Sequence, residues 1–215
     1  MSDPAVADQL TFAFIQANDV WVSLRGAPPQ QITHLGLGTQ QLNWFLLWSE
    51  DQTRLLAVAS NNPSSGTATS EAWIIGLPGK SVQSLPSSAV ASACADHSCA
   101  WLEDRYIVHM NTTRPGSHYL YYKIYDTQAQ HDLSTGLDSQ EITFWQVRGS
   151  SVFFTPYDNE PTFALGAIKR FDFNSNQITT QFTLPGTMVA EGIPSGVWDL
   201  SADAREVVVE FDVGT

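Results

Sequence analysis

The sequence predicts an all-β fold built from repeated four-stranded antiparallel units, and three observations predict it. No window keeps apolar residues at i, i+3, i+4 and i+7 through three turns, so helix patterning is nearly absent. Short runs rich in β-branched and aromatic residues recur instead, each closed by Gly, Pro, Asn, Asp or Ser. These runs also repeat at long range. Four segments share a Trp, a polar turn and a β-rich run, beginning at Trp48, Trp101, Trp145 and Trp198, which are 53, 44 and 53 residues apart. A four-stranded propeller blade takes about 40–50 residues. The expected architecture is therefore a β-propeller of about four to five blades of four antiparallel strands, whole or as a fragment of a larger propeller.

The elements follow in order. Residues 1–9 carry no periodic pattern and are expected to be a disordered or artificially added lead-in to a propeller over 10–215. Leu10–Ile15, Asp19–Leu24 and Gln31–Thr33 read as the last three strands of a partial blade, 10–33. The span 42–86 is a complete blade, with Trp48 closing its first strand, then Arg54–Ala59, a strand through Trp73, and Val82–Leu85. The span 91–134 repeats this with Trp101, a strand through Ile107, Tyr119–Tyr125 and His131–Leu133. The span 141–184 does so with Trp145, Ser151–Thr155, a strand through Phe171, and Gln177–Phe182. Residues 196–211, with Trp198 and Glu206–Phe211, supply two strands more. The two ends together then offer five strands where one blade holds four, which favours a fragment of a larger ring over a closed one.

Trp48-Ser-Glu-Asp-Gln-Thr-Arg-Leu-Leu-Ala57 and Trp198-Asp-Leu-Ser-Ala-Asp-Ala-Arg-Glu-Val207 resemble the Trp-Ser-Pro-Asp-Gly-Lys signature of TolB-type propeller repeats. Pro is missing from all four copies, and Gly from the expected turn position in the first, second and fourth. The resemblance implies that the signature ends the innermost strand and turns into the second. It also implies a binding scaffold whose ligands meet the top face or central channel.

Composition narrows the partners. The net charge is −12, and the ten basic residues are scattered singly. Without clustered Lys and Arg there is nothing to displace counterions from phosphates, so nucleic acid and anionic membrane surfaces are excluded as partners. No apolar run reaches the roughly 20 residues of a membrane helix. The first residues lack the basic and apolar regions of a signal peptide. Cys94 and Cys99 flank a short polar loop. They close a disulfide in an oxidising compartment, remain two thiols, or join His97 in a metal site, although structural zinc takes four ligands and no fourth lies nearby. An extracellular or periplasmic setting fits the first reading, and the cytoplasm fits the second. The sequon Asn111-Thr-Thr113 matters only in a glycosylating pathway.

No catalytic signature is found, and no cofactor or metal is predicted. Gly192-Ile-Pro-Ser-Gly196 has the wrong spacing for a nucleophile elbow, and Gly79-Lys-Ser81 reads as a hairpin turn rather than a phosphate loop. Asp172-Phe-Asn-Ser-Asn176 has calcium-like spacing without the Gly and Glu that complete an EF-hand, and reads as a polar turn. His34, His97, His109, His118 and His131 are dispersed, and Glu103-Asp104 and Asp158-Asn-Glu160 suit turn tips. Trp44-Phe-Leu-Leu-Trp48 and Tyr119-Leu-Tyr-Tyr122 suggest carbohydrate stacking or core packing between blades; packing is preferred, because stacked blades bury both faces of their inner strands. The resulting expectation is a non-catalytic module binding a protein, peptide or glycan, as the extracytoplasmic part of a larger bacterial surface or sensor protein. The alternative is the propeller of an enzyme, gating a serine peptidase or processing glycans.

Overall fold

The computed structural model describes residues 11–37, 42–61, 69–77, 79–111, 121–156, 167–183 and 198–209. The expected lead-in 1–9, His118, Asp158-Asn-Glu160 and Gly192–Gly196 lie outside them.

The described strands form five antiparallel meanders in chain order. The first sheet holds β1 (Phe12–Gln16), β2 (Asp19–Ser23) and β3 (Gln30–Gln31). The second holds β4 (Asn43–Trp48), β5 (Arg54–Asn61), β6 (Thr69–Gly76) and β7 (Ser81–Leu85). The third holds β8 (Cys99–Leu102), β9 (Tyr106–Asn111), β10 (Tyr121–Asp126) and β11 (His131–Leu133). The fourth holds β12 (Ile142–Arg148), β13 (Ser151–Pro156), β14 (Ala167–Asp172) and β15 (Gln177–Thr183). The fifth pairs β16 (Trp198–Leu200) with β17 (Val207–Val209). Three four-stranded sheets between two smaller ones, all antiparallel between sequence neighbours, are the blades of a β-propeller.

The sheets stack face to face, which explains runs that an ordinary half-buried strand would not tolerate. Leu55, Leu56, Ala57 and Val58 are consecutive and all buried. Leu55 and Ala57 pack with Val20, Val22 and Ile75 towards the first sheet. Leu56 and Val58 pack with Ile74, Trp101 and Ile107 towards the third. Ile107 and Val108 divide in the same way between the second and fourth sheets, and Phe153 and Phe154 between the fifth and third. A strand buried on both faces reads as a continuous apolar run rather than an alternating one. The innermost strands also lie beside one another, β4 by β8 and β8 by β12. Trp101 stitches two of them by donating its indole N–H to the Leu47 carbonyl at 3.0 Å. Gln146 does likewise, to the Trp198 carbonyl at 2.9 Å.

One element departs from the sequence reading. Residues Ser88–Ala95 form a helix, α1, where no helix was expected. Ser87 caps it, its side chain accepting from the Val90 N–H at 3.3 Å. Val90, Ala91 and Cys94 enter the core between the second and third sheets. The helix is only two turns long, and its residues are small, so Ala propensity sustains it without an apolar stripe long enough to register as periodic.

Candidate functional site

The two ends of the blades differ. At one end, first strands turn tightly into second strands. In the turn after Trp48, the Ser49 hydroxyl donates to Asp51 Oδ1 at 2.8 Å and accepts from the Arg54 N–H at 2.9 Å, while the Thr53 N–H donates to Asp51 at 2.8 Å. Ser201 repeats the pattern, donating to Asp203 Oδ1 at 2.7 Å and accepting from the Glu206 N–H at 3.0 Å, with the Arg205 N–H donating to Asp203 at 3.2 Å. Gln52 and Ala204 hold the position where the resembled signature has Gly, and both have positive φ, 57° and 54°. Both residues thus take the left-handed conformation that glycine adopts most readily. Burial pushes the Asp51 carboxyl up, but hydrogen bonds from Thr53 and Ser49 outweigh it and hold the group down at about 2. Asp104, in the next turn, accepts from the Asp51 N–H at 3.4 Å, and burial together with the Asp51 and Glu50 charges raises its pKa.

Most residues singled out from the sequence are engaged in this kind of local structure. Asp172 accepts from the Ser175 N–H and hydroxyl, both at 2.9 Å, and pairs with Arg170, while Asn176 accepts from the Gly136 N–H at 2.9 Å. This is the polar turn the sequence suggested. Gly79 and Lys80 lie in the turn between β6 and β7. His109 is buried with Nε2 3.0 Å from Asp132 Oδ1, and His34 and His131 make local hydrogen bonds. Trp44, Leu46 and Trp48 pack towards the first sheet and Phe45 and Leu47 towards the third, as interblade packing requires. Glu103 lies in the tight turn after Trp101, with φ 53°.

The opposite end receives the chain between blades, and there the two cysteines settle among their alternatives. Cys94 and Cys99 form a disulfide with Cα atoms 4.9 Å apart, tying the end of α1 to β8. The loop it closes carries Asp96 and His97. His97 has φ 57° and sets its ring edge-on to Phe45, centroids 4.7 Å apart.

Beside this loop lies a cleft of about 640 Å³ between the second sheet and α1. Leu42, Asn43 and Trp44 line it from the start of β4, Ser60 from β5, Ser70 from β6, Ser92 and Ala95 from α1, and Asp96 and His97 from the pinned loop. Among the described residues, none of the side chains of Asn43, Ser60, Ser70, Ser92, Asp96 and His97 hydrogen-bonds another protein group. This is the reverse of the tight-turn end, where Ser, Thr and Asp close on their own backbone. A second cleft of about 400 Å³, with Glu71 and Trp73, flanks the other face of the same sheet, and Trp44 and Trp73 stack at 6.0 Å. A third, of about 390 Å³, lies at the tight-turn end against Arg25 and Asp51.

No family model matches this sequence, and no curated protein matches it. Solved structures similar to it include the tricorn protease, at 11% identity and a TM-score of 0.46, covering 94% of this chain and 23% of that one. A Pyrococcus horikoshii acylaminoacyl peptidase is 9% identical with a TM-score of 0.47, covering 80% of this chain and 30% of that one. An uncharacterised protein of Listeria monocytogenes is 9% identical with a TM-score of 0.44, covering 76% of this chain and 48% of that one. This chain thus spans between 23% and 48% of the length of those three. The fold rests on sheet order and register rather than on these likenesses.

Of the cleft residues, the sequence pointed only to His97 and the adjacent cysteines, and to Trp44 as packing. Asn43, Ser60, Ser70 and Ser92 are common residue types from four separate elements, and only the fold brings them together. No helix among the described residues is long and apolar enough to cross a membrane.

Proposed function

We propose that this chain is a non-catalytic propeller module of the TolB type that binds a protein, peptide or glycan partner at the cleft beside the disulfide loop. The observation that carries this reading is the convergence on one concavity of six polar side chains, none of which hydrogen-bonds another protein group. Asn43, Ser92, Asp96 and His97 are exposed and keep their hydrogen-bonding capacity open to solvent, while Ser60 and Ser70 are half-buried; groups of this kind around a ligand-sized cleft fit recognition. The matched Ser49–Asp51 and Ser201–Asp203 turns support the TolB-type assignment. The Cys94–Cys99 disulfide supports an oxidising setting, as the extracytoplasmic part of a larger surface or sensor protein.

The test is an array of peptides and glycans probed with the wild-type chain and with Ser70→Trp, whose indole would fill the cleft. Ligands that bind the first and not the second support the proposal. No binding, or binding that Ser70→Trp leaves untouched, overturns it. Turnover of a bound peptide or glycan, read by mass spectrometry, would overturn it in favour of the propeller of a peptidase or glycan-processing enzyme.

A further inference from the structure

We propose that the outward face of the first sheet is a docking surface for a further blade of the same propeller, carried by the protein's own polypeptide. Alternation along β1 and β2 sends Ala13, Ile15, Val20 and Val22 towards the second sheet and leaves Phe12, Phe14 and Trp21 on the opposite face. The three rings form one stripe, with Phe14 6.1 Å from Phe12 and 6.3 Å from Trp21 between centroids. Phe12 is 46% exposed, and Phe14 and Trp21 are half-buried.

Two observations point to a blade as the partner of this stripe. The first is a pattern in the interfaces already formed. At each of the four interfaces between successive sheets, a tryptophan of the later sheet hands its indole N–H to the earlier one. Trp44 donates to Asn18 Oδ1 at 3.4 Å, Trp101 to the Leu47 carbonyl at 3.0 Å, Trp145 to the Tyr122 hydroxyl, and Trp198 to Thr155 Oγ1 at 2.8 Å. Trp21 lies on the corresponding face of the first sheet, and its indole nitrogen is buried with no hydrogen-bond partner among the described residues. A buried donor left unpaired is costly, and the pattern names the missing acceptor as an oxygen of a preceding blade. The second observation is size. β1 and β2 are five residues each and β3 is shorter, so at about 3.3 Å per residue and about 4.8 Å between strands the face spans at most about 240 Å². A stable dimer buries about 800 Å² on each partner, so this face is too small to hold a second copy by itself. It suits a blade on the same polypeptide, because the tether makes docking an intramolecular step.

The experiment compares this 215-residue chain with the complete product of its gene, by hydroxyl-radical footprinting read at Phe12, Phe14 and Trp21. In the chain alone the stripe is expected to label strongly at every protein concentration, and the chain to sediment as a monomer. In the complete product a further blade is expected, and labelling of the stripe should fall to the level of the buried Trp101 and Phe154. A complete product without a further blade, or one in which the stripe labels as it does in the chain alone, would overturn the proposal. So would a dimer of the chain alone in which the stripe is protected and which Phe14→Asp dissociates, because the face would then belong to a second copy. If Phe14→Asp does not fold, Phe12→Asp, at the more exposed ring, carries the same test.

Discussion

Leu55 and Leu56 are adjacent in β5, both fully buried, and point to opposite faces of the second sheet. Leu55 packs against Val20, Val22 and Ile75, and Leu56 against Ile74, Trp101 and Ile107. In a sheet with one solvated face, one of two neighbouring leucines is dispensable, and its replacement by Ala costs about 0.5 kcal/mol or less. In stacked blades both replacements open cavities, and each costs about 2–5 kcal/mol. Taking about 3 kcal/mol as a midpoint, each variant is expected to lose about 6–12 °C in Tm for a chain of this size. Urea unfolding of Leu55→Ala and Leu56→Ala measures the costs, and similar m-values would locate the effect in the native state. If either variant stays within about 0.5 kcal/mol of the wild type, the face-to-face stacking of the first three sheets is wrong.

Three other outcomes are expected. Ala204→Gly should stabilise the chain by about 0.5–1 kcal/mol, because φ of 54° costs a side-chain-bearing residue more than glycine's extra unfolded-state entropy returns; unchanged or lowered stability in urea would contradict this. Asp126 accepts from Arg105 Nε at 3.0 Å, and hydrogen bonding from Arg105, ahead of the opposing burial, holds its carboxyl down at about 2. Its folded pKa is depressed, so its contribution is fully present above the unfolded value of about 4 and is lost as pH falls towards 2. Asp126→Asn should therefore cost about 1–2 kcal/mol at pH 7 and only a small part of that once the pH has fallen to the folded-state value of about 2, and a pH-independent difference in stability would refute the ion pair's role. Reducing the Cys94–Cys99 bridge, which closes a loop of sequence separation 5, should cost about 2 kcal/mol by chain entropy. Paired melts with and without a reductant check this, and identical curves with the thiols shown to be free would contradict it.

The propeller was legible because its signals are long-range and redundant. Trp48, Trp101, Trp145 and Trp198 all fall in innermost strands, and the continuous run Leu55–Ala59 reflects burial on both faces. The turns were legible as polar, but not the way Gln52 and Ala204 take up a glycine's conformation, since Ser49–Asp51 and Ser201–Asp203 impose it through side-chain hydrogen bonds. Helix α1 escaped because Ser88–Ala95 has small residues on every face, and its burial comes from the sheets on either side. The cysteine pair was visible as a pair, yet its state depends on how α1 places Cys94 against Cys99. The cleft was the least legible feature. Its polar groups come from separate elements and meet only in the assembled fold, so no local stretch marks them.

Hydrogen–deuterium exchange with and without the tightest array ligand tests the central claim most directly. Slowed exchange at residues 42–44, 60, 70 and 92–97, with the tight turns at 49–54 and 201–206 unchanged, is the result expected of a binding site beside the disulfide loop. Protection confined to those tight turns, or none at saturating ligand, would contradict it.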